Sequence, residues 1–127
     1  MKLHHVGVAC LDIKQKLNEL KLTQLVISAT PIVYDSKQSA ELCMLQMAGG
    51  YNLELISGKP VESIVKKNIT YYHLCYIVED INDSIDTLTK NGFILVSPPK
   101  EAILFDGRQV AFLYGPFGLI EILNEKI

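Results

Sequence analysis

The chain has 127 residues, 49% of them hydrophobic and 20% charged, and its formal net charge is −2. This length and hydrophobic content predict one compact domain with a core of its own and argue against a disordered protein. Lysines and arginines are scattered rather than clustered, which argues against a nucleic-acid-binding protein and against a membrane-surface protein.

The cysteines and the N-terminal sequence bear on the compartment in which the protein works. Cys10, Cys43 and Cys75 lie in apolar stretches without a CxxC spacing, which is typical of reduced core residues. The sequence begins directly with a strand pattern, and no apolar run approaches the length of a membrane span. We therefore expect a cytoplasmic protein.

In the first half of the chain, apolar periodicity predicts a strand, a helix and then further strands. The first strand is expected at residues 3–10, and the helix after it begins at a cap on Asp12. Ile13, Leu17 and Leu20 would form the apolar side of this helix. The later strands are expected at residues 24–28, 32–34, 41–47 and 51–56, with Gly49-Gly50 as the turn between the last two.

The second half repeats this order after a connector over residues 60–68 that contains a short helix. A strand at 72–78 leads to a helix at 81–90, which Asp80 caps and Asn91-Gly92 ends. Further strands are expected at residues 93–96, 103–105, 109–114 and 119–123. The pattern predicts an α+β fold of two tandem βαβββ modules within a single domain. Module 1 is expected at about 1–58, the connector at about 59–69 and module 2 at about 70–127.

Each half also places one histidine and one glutamate inside an apolar, strand-like stretch. His5 and Glu54 are 49 residues apart, and His73 and Glu121 are 48 apart. Such a repeat indicates two copies of one unit whose shared polar residues face a common point. His4 is left out of this set, because neighbouring side chains on a strand point to opposite faces.

These four residues fit a site for one divalent metal ion. A carboxylate buried alone in a strand costs several kcal/mol or becomes protonated, and two carboxylates brought together also repel each other. A divalent cation relieves both costs, and two imidazoles with two carboxylates can ligate Zn, Ni, Co, Mn or Fe. Any one such residue taken alone is more often structural. Because both copies keep the same two residue types, we predict His5, Glu54, His73 and Glu121 as ligands of a metal whose identity stays open.

Several stretches carry a resemblance to a known superfamily over nearly the whole chain. They are Leu3-His4-His5-Val6-Gly7-Val8-Ala9, Leu53-Glu54-Leu55-Ile56, Tyr72-His73-Leu74, Val110-Ala111-Phe112-Leu113 and Gly118-Leu119-Ile120-Glu121. Their order and spacing resemble the vicinal oxygen chelate superfamily, also called the glyoxalase/bleomycin resistance/dioxygenase superfamily. The resemblance implies a curved mixed sheet of two half-barrels around a central cleft. It also implies that the four residues above occupy the metal-ligand positions.

Within this superfamily the second half of the chain resembles methylmalonyl-CoA epimerases, and glyoxalase I (lactoylglutathione lyase) is the near competitor. The epimerase resemblance rests on the connector at 64–67 and on the stretch that begins at Arg108. Epimerases carry glutamine or glutamate at the position of Glu54 and bacterial glyoxalase I carries glutamate, so this position leaves the choice open. Either resemblance implies a metal-dependent isomerase or lyase that removes a proton next to a carbonyl and stabilises an enediolate.

Two residues are predicted to move the proton in such a reaction. The resemblance implies that Glu121 is a metal ligand that also acts as a base. Asp35 is the weaker candidate for the second acid–base group, because the Glu-x-Gln-Gly stretch of the epimerases reads Asp35-Ser36-Lys37-Gln38-Ser39 in this chain. The ordinary interpretation of Asp35 is a turn residue on the surface.

Two other functions stay open at this point. One is a non-catalytic protein that binds an antibiotic or a small metabolite, although the intact ligand set argues against it. The other is an Fe(II) dioxygenase, which a fourth protein ligand at Glu54 disfavours because such sites use two histidines and one carboxylate. The expected small-molecule partner is an acyl thioester or a hemithioacetal. The expected protein partner is a second copy of the chain, in a homodimer formed through edge strands or by strand swapping.

Overall fold

The computed structural model describes all 127 residues, which form nine strands and three helices. The chain divides into an N-terminal unit, His5–Tyr72, and a C-terminal unit, His73–Ile127 together with Met1–His4. In chain order the elements of the first part are β1 Lys2–Ala9, α1 Ile13–Leu20, β2 Val26–Ala29, β3 Val33–Asp35, β4 Ala40–Met47, β5 Asn52–Gly58 and α2 Glu62–Lys66. The remaining elements are β6 Tyr71–Val78, α3 Ile81–Lys90, β7 Ile94–Glu101, β8 Gln109–Gly115 and β9 Gly118–Asn124.

The N-terminal unit is a mixed sheet with one helix packed on it. The strand order is β2-β4-β5-β1, with β3 also pairing with β4. The strand β4 runs antiparallel to its three partners, whereas β5 and β1 are parallel. The helix α1 and one face of the sheet enclose a hydrophobic core formed by Val8, Cys10, Ile13, Leu20, Cys43, Leu45, Met47, Leu53 and Leu55.

The C-terminal unit repeats this arrangement. Its strand order is β7-β8-β9-β6, in which β9 and β6 are parallel and the other pairs are antiparallel. The helix α3 closes a second core, which contains Val78, Ile81, Ala111, Leu113, Ile120 and Ile122. The α+β class and the two βαβββ modules predicted from the sequence are therefore confirmed.

Both main helices begin at the aspartates that the sequence predicts. The Asp12 carboxylate accepts a hydrogen bond of 3.0 Å from the backbone N–H of Gln15, and Asp80 accepts one of 3.0 Å from Asp83. Each bond satisfies a backbone donor that has no partner within its helix. No helix in the structure combines the length and the apolar character needed to cross a membrane.

Two of the predicted strands differ from the observed ones. Residues 103–105 were predicted as a strand, but Ile103–Phe105 is a single 3₁₀ turn that ends at Asp106, which has a left-handed backbone with φ of 56°. The strand predicted at 93–96 is longer, because β7 continues through Pro98 and Pro99 to Glu101. Proline cannot donate to a strand ladder, and β7 tolerates two prolines because it lies at the end of the strand order of its unit.

The hairpin turns explain why the histidine-to-glutamate spacing differs by one residue between the halves. In the first hairpin Gln46 pairs with Asn52, which leaves residues 47–51 to make the turn. In the second hairpin Tyr114, the equivalent of Gln46, pairs with Leu119, so the corresponding stretch is residues 115–118, in which Gly115 also pairs with Gly118. The first turn is thus one residue longer, and the spacings of 49 and 48 lead to the same strand pairing.

Candidate functional site

The N-terminal unit buries one histidine and one glutamate on neighbouring parallel strands. Gly7 of β1 lies opposite Glu54 of β5. His5 precedes Gly7 by two residues and so lies on the same face, diagonal to Glu54. The imidazole Nε2 of His5 is 3.3 Å from Oε1 of Glu54, and the two residues are only 1% and 4% exposed.

The C-terminal unit builds the same pair from its own parallel strands. Cys75 of β6 lies opposite Glu121 of β9, and His73 precedes Cys75 by two residues. The Nε2 atom of His73 is 3.2 Å from Oε1 of Glu121, and the two residues are 3% and 2% exposed. The sequence repeat therefore corresponds to a repeated geometry, with one imidazole nitrogen beside one carboxylate oxygen in each unit.

The donor atoms of each pair suit a divalent cation. Imidazole nitrogen and carboxylate oxygen are both ligands of zinc and of first-row transition metals. A carboxylate with almost no contact with solvent gains much more from such a cation than an exposed one, because water does not screen the interaction.

An aromatic ring packs against one of the two histidines. The rings of His73 and Phe112 are 5.3 Å apart between centroids and nearly perpendicular, with an interplanar angle of 87°. Phe112 also lies opposite Glu121 in the pairing of β8 with β9. In the N-terminal unit the residue opposite Glu54 is Met44. No polar or charged group marks Met44 or Phe112 in the sequence; their signal is a separation of 68 residues, the same as that between His5 and His73.

Asp35 lies in a different setting from the surface turn expected from the sequence. It is the last residue of β3 and is only 3% exposed. Its two carboxylate oxygens accept hydrogen bonds from the backbone N–H of Lys37, at 2.9 Å, and from Nε2 of Gln38, at 3.0 Å. These bonds hold the start of the β3–β4 turn. The acid–base role of Asp35 stays a prediction.

His4 and Arg108 both pack against Phe105 in the C-terminal unit. The His4 ring lies 5.4 Å from the Phe105 ring at an angle of 87°. The Arg108 guanidinium lies 5.9 Å over the same ring, and its Nε donates to the Phe105 carbonyl at 3.2 Å. Its Nη1 also donates to the Glu125 carbonyl at 3.5 Å. Arg108, which contributes to the epimerase resemblance, thus binds the backbone of its own unit.

The cysteines behave as core residues. All three are buried and none forms a disulfide. The Cys10 thiol donates to the Ile56 carbonyl at 3.4 Å, and burial raises the pKa of this thiol from 9.0 to about 11. Burial also raises the pKa of the Cys43 thiol, which donates to the Thr30 carbonyl at 3.3 Å. These thiols stay protonated near neutral pH, which makes them poor nucleophiles.

The family model described as Glyoxalase/Bleomycin resistance protein/Dioxygenase superfamily matches residues 4–112 of the chain. Methylmalonyl-CoA epimerase from Mycobacterium tuberculosis is 18% identical, with a TM-score of 0.80 over 99% of this chain and 89% of that one. A hypothetical protein from Bacillus halodurans is 24% identical, with a TM-score of 0.76 over 99% of this chain and 95% of that one.

A mutant of 4-hydroxymandelate synthase from Streptomyces coelicolor is 16% identical, with a TM-score of 0.58 over 96% of this chain and 48% of that one. No curated protein matches the sequence. At these identities the solved structures show a shared fold.

Proposed function

Because the chain belongs to the glyoxalase/bleomycin resistance protein/dioxygenase superfamily, we propose that it is a divalent-metal-dependent isomerase or lyase. We propose that it removes a proton next to a carbonyl, as methylmalonyl-CoA epimerase or glyoxalase I would. The observation that carries this proposal is the buried histidine–glutamate pair at the same place in both units, with Nε2–Oε1 distances of 3.3 and 3.2 Å.

The proposed ligands of the metal are His5, Glu54, His73 and Glu121. Support comes from the near-complete burial of all four residues, which is unusual for carboxylates unless they are paired or bind a metal. The sequence repeat supports the same set, because it preserves both residue types and both strand positions. The donor set fits Zn, Ni, Co, Mn or Fe, and a metal of this group would supply Lewis-acid stabilisation of the charge that develops on a substrate oxygen.

We propose Glu121 as the base that takes the proton from the substrate carbon. Its near-complete burial supports this role, because a site that excludes water lets the carboxylate meet the substrate C–H bond without solvent between them. The second proton-transfer group is proposed to be Asp35. For that role Asp35 would have to exchange its hydrogen bonds to Lys37 and Gln38 for contact with the substrate.

The substrate is proposed to be a small acyl thioester or a hemithioacetal. Both classes have an acidic C–H next to a carbonyl, which is the bond that the proposed base would break. The acyl thioester is favoured, because the epimerase-like stretch of β8 and the fold likeness to methylmalonyl-CoA epimerase agree with it.

Metal analysis of the purified protein, combined with proton exchange, tests this function. The wild-type chain and a His5→Ala, Glu121→Ala double variant would be loaded with Co, Ni, Zn or Mn and analysed for bound metal. We expect one ion per wild-type chain and none in the variant. NMR would then measure the incorporation of deuterium from D₂O into a 2-methylmalonyl thioester. We expect incorporation only when the ion is bound. Isomerisation of a hemithioacetal would be assayed in parallel.

A His4→Ala variant is the matched control, because His4 neighbours His5 and packs on Phe105 instead. It should keep its metal. Absence of metal in the wild type under every loading condition would contradict the proposal and leave a small-molecule-binding or resistance protein as the better account. A bound iron that supports oxygen consumption but no proton exchange would indicate a dioxygenase.

A further inference from the structure

We propose that Phe112 is a positioning residue for His73, which fixes the imidazole so that Nε2 faces the Glu121 carboxylate. This inference rests on the proposed metal site, whose ligands include both His73 and Glu121. It assigns to β8 a part in the site, although β8 supplies none of the proposed ligands. If Phe112 has this role, the His73–Glu121 pair is held more rigidly than the His5–Glu54 pair.

The ring contact restricts the orientation of the imidazole. The two ring planes meet at 87° with their centroids 5.3 Å apart, which is the edge-to-face arrangement that aromatic pairs favour. Rotation of the His73 ring about its bond to the β-carbon would turn this contact away from its optimum. Such a rotation would also exchange the positions of the ring atoms near Glu121, where Nε2 now lies 3.2 Å from Oε1.

The strand register places Phe112 beside both members of the pair. It lies directly opposite Glu121 across the β8–β9 ladder, and its ring contacts His73 on the far side of β9. Neighbouring strands are about 4.8 Å apart, so a side chain that reaches from β8 to β6 crosses the strand that carries Glu121. A change at Phe112 is therefore expected to alter the orientation of the histidine relative to the carboxylate.

The N-terminal unit provides an internal comparison. Met44 lies opposite Glu54 as Phe112 lies opposite Glu121, and both residues are partly exposed. Methionine has an unbranched, flexible side chain that adapts to its surroundings, whereas the phenylalanine ring is planar and rigid. The His5 pair therefore lies beside an adaptable side chain, and the His73 pair lies beside a rigid one.

Two measurements on the full-length protein test this role. The first is the affinity for Co(II), measured by competition with a chromogenic chelator together with the visible absorption spectrum of the bound ion. Phe112→Leu should weaken affinity about tenfold, which is the usual size of effect for residues that orient a metal ligand, and should change the spectrum. Phe112→Tyr keeps the ring and should stay within about twofold of the wild type, as should the matched control Met44→Leu.

The second measurement uses the metal-free protein. The ¹⁵N shifts of the imidazole nitrogens report which nitrogen carries the proton. We expect one tautomer for His73 in the wild type and in Met44→Leu, and a mixture in Phe112→Leu. A single unchanged tautomer in Phe112→Leu, or equal Co(II) affinities in Phe112→Leu and Met44→Leu, would overturn the inference. If no variant and no wild-type protein binds an ion, the proposed function fails, and the tautomer of His73 still decides the role of Phe112.

Discussion

The two units differ most at the outer edge of their sheets and least where the first and last strands of each module pair. In the N-terminal unit two short strands, β2 and β3, share the edge beside β4. In the C-terminal unit one strand of eight residues, β7, occupies the equivalent edge, with two register shifts along it. The parallel pairs β1–β5 and β6–β9 have the same register around their histidine and glutamate.

This difference indicates which part of the repeat is constrained. A one-residue shift in a strand turns every side chain to the opposite face, so an altered register would separate the histidine from the glutamate. The edges carry no proposed ligand and tolerate a break, a bulge or two prolines. β7 also leaves Ile94 and Val96 exposed, and the expected edge-strand homodimer stays a prediction.

The largest difference between the units is expected in the rate of proton exchange when the glutamate of each histidine–glutamate pair is replaced by glutamine. Glu121→Gln should lower the rate of proton exchange about a thousandfold, because an amide oxygen can bind a metal but cannot accept the proton. Glu54→Gln should lower it less than about tenfold, since glutamine also serves at this position in epimerases. Steady-state rates of deuterium exchange with the metal-loaded proteins would measure both effects. Equal losses in the two variants would show that Glu121 is a ligand alone.

A smaller difference between the units is expected in the stability cost of replacing a glycine that has a positive φ. A Cβ added at Gly58 would lie 2.7 Å from the Ser39 carbonyl oxygen, and the residue has a φ of +117°. Gly58→Ala should therefore lower the free energy of unfolding by about 3 kcal/mol. Gly92 has a φ of +92° but open space around it, and Gly92→Ala should cost about 1 kcal/mol. Urea denaturation of both variants would compare them, and equal costs would contradict the proposed clash at Gly58.

The smallest effects should come from the helix caps, and here the units should agree. The Asp12 and Asp80 carboxylates each accept a backbone hydrogen bond of 3.0 Å from the third residue of their helix. Replacement of either one by alanine should lower the free energy of unfolding by about 1 kcal/mol. Thermal unfolding of the two variants would check this, with Asp12→Asn and Asp80→Asn as conservative controls. If only one of the two alanine variants lost stability, the two caps would not contribute equally to the stability of their helices.

The sequence predicted the histidine–glutamate pairs because strand periodicity and a repeated offset constrain the faces on which residues lie. His5 and Glu54 recur as His73 and Glu121, and each pair occupies the same diagonal in the structure. It could not predict the contact of Phe112 with His73, because that contact depends on the register of β8 against β9. Register is set by the turn and by packing on both faces, neither of which one strand shows.

The wrong strand at 103–105 has a different cause. Ile103, Leu104 and Phe105 are apolar and typical of strands, and three residues are too few to show a helical or an extended period. The structure bends them into a turn that continues through Asp106 and Gly107, both with positive φ. The Asp-Gly pair was the available signal, since these residues favour left-handed turns.

The parallel pairing of first and last strands also bears on how the protein folds. Each histidine lies near the start of its module and each glutamate near the end, 49 and 48 residues apart in sequence. Closing a loop of that length costs chain entropy before the contact returns any energy, whereas the hairpins β4–β5 and β8–β9 join near neighbours. We therefore expect the hairpins to form early and the histidine–glutamate pairs to form last. A chain competent to bind an ion would then be one in which both modules have completed folding.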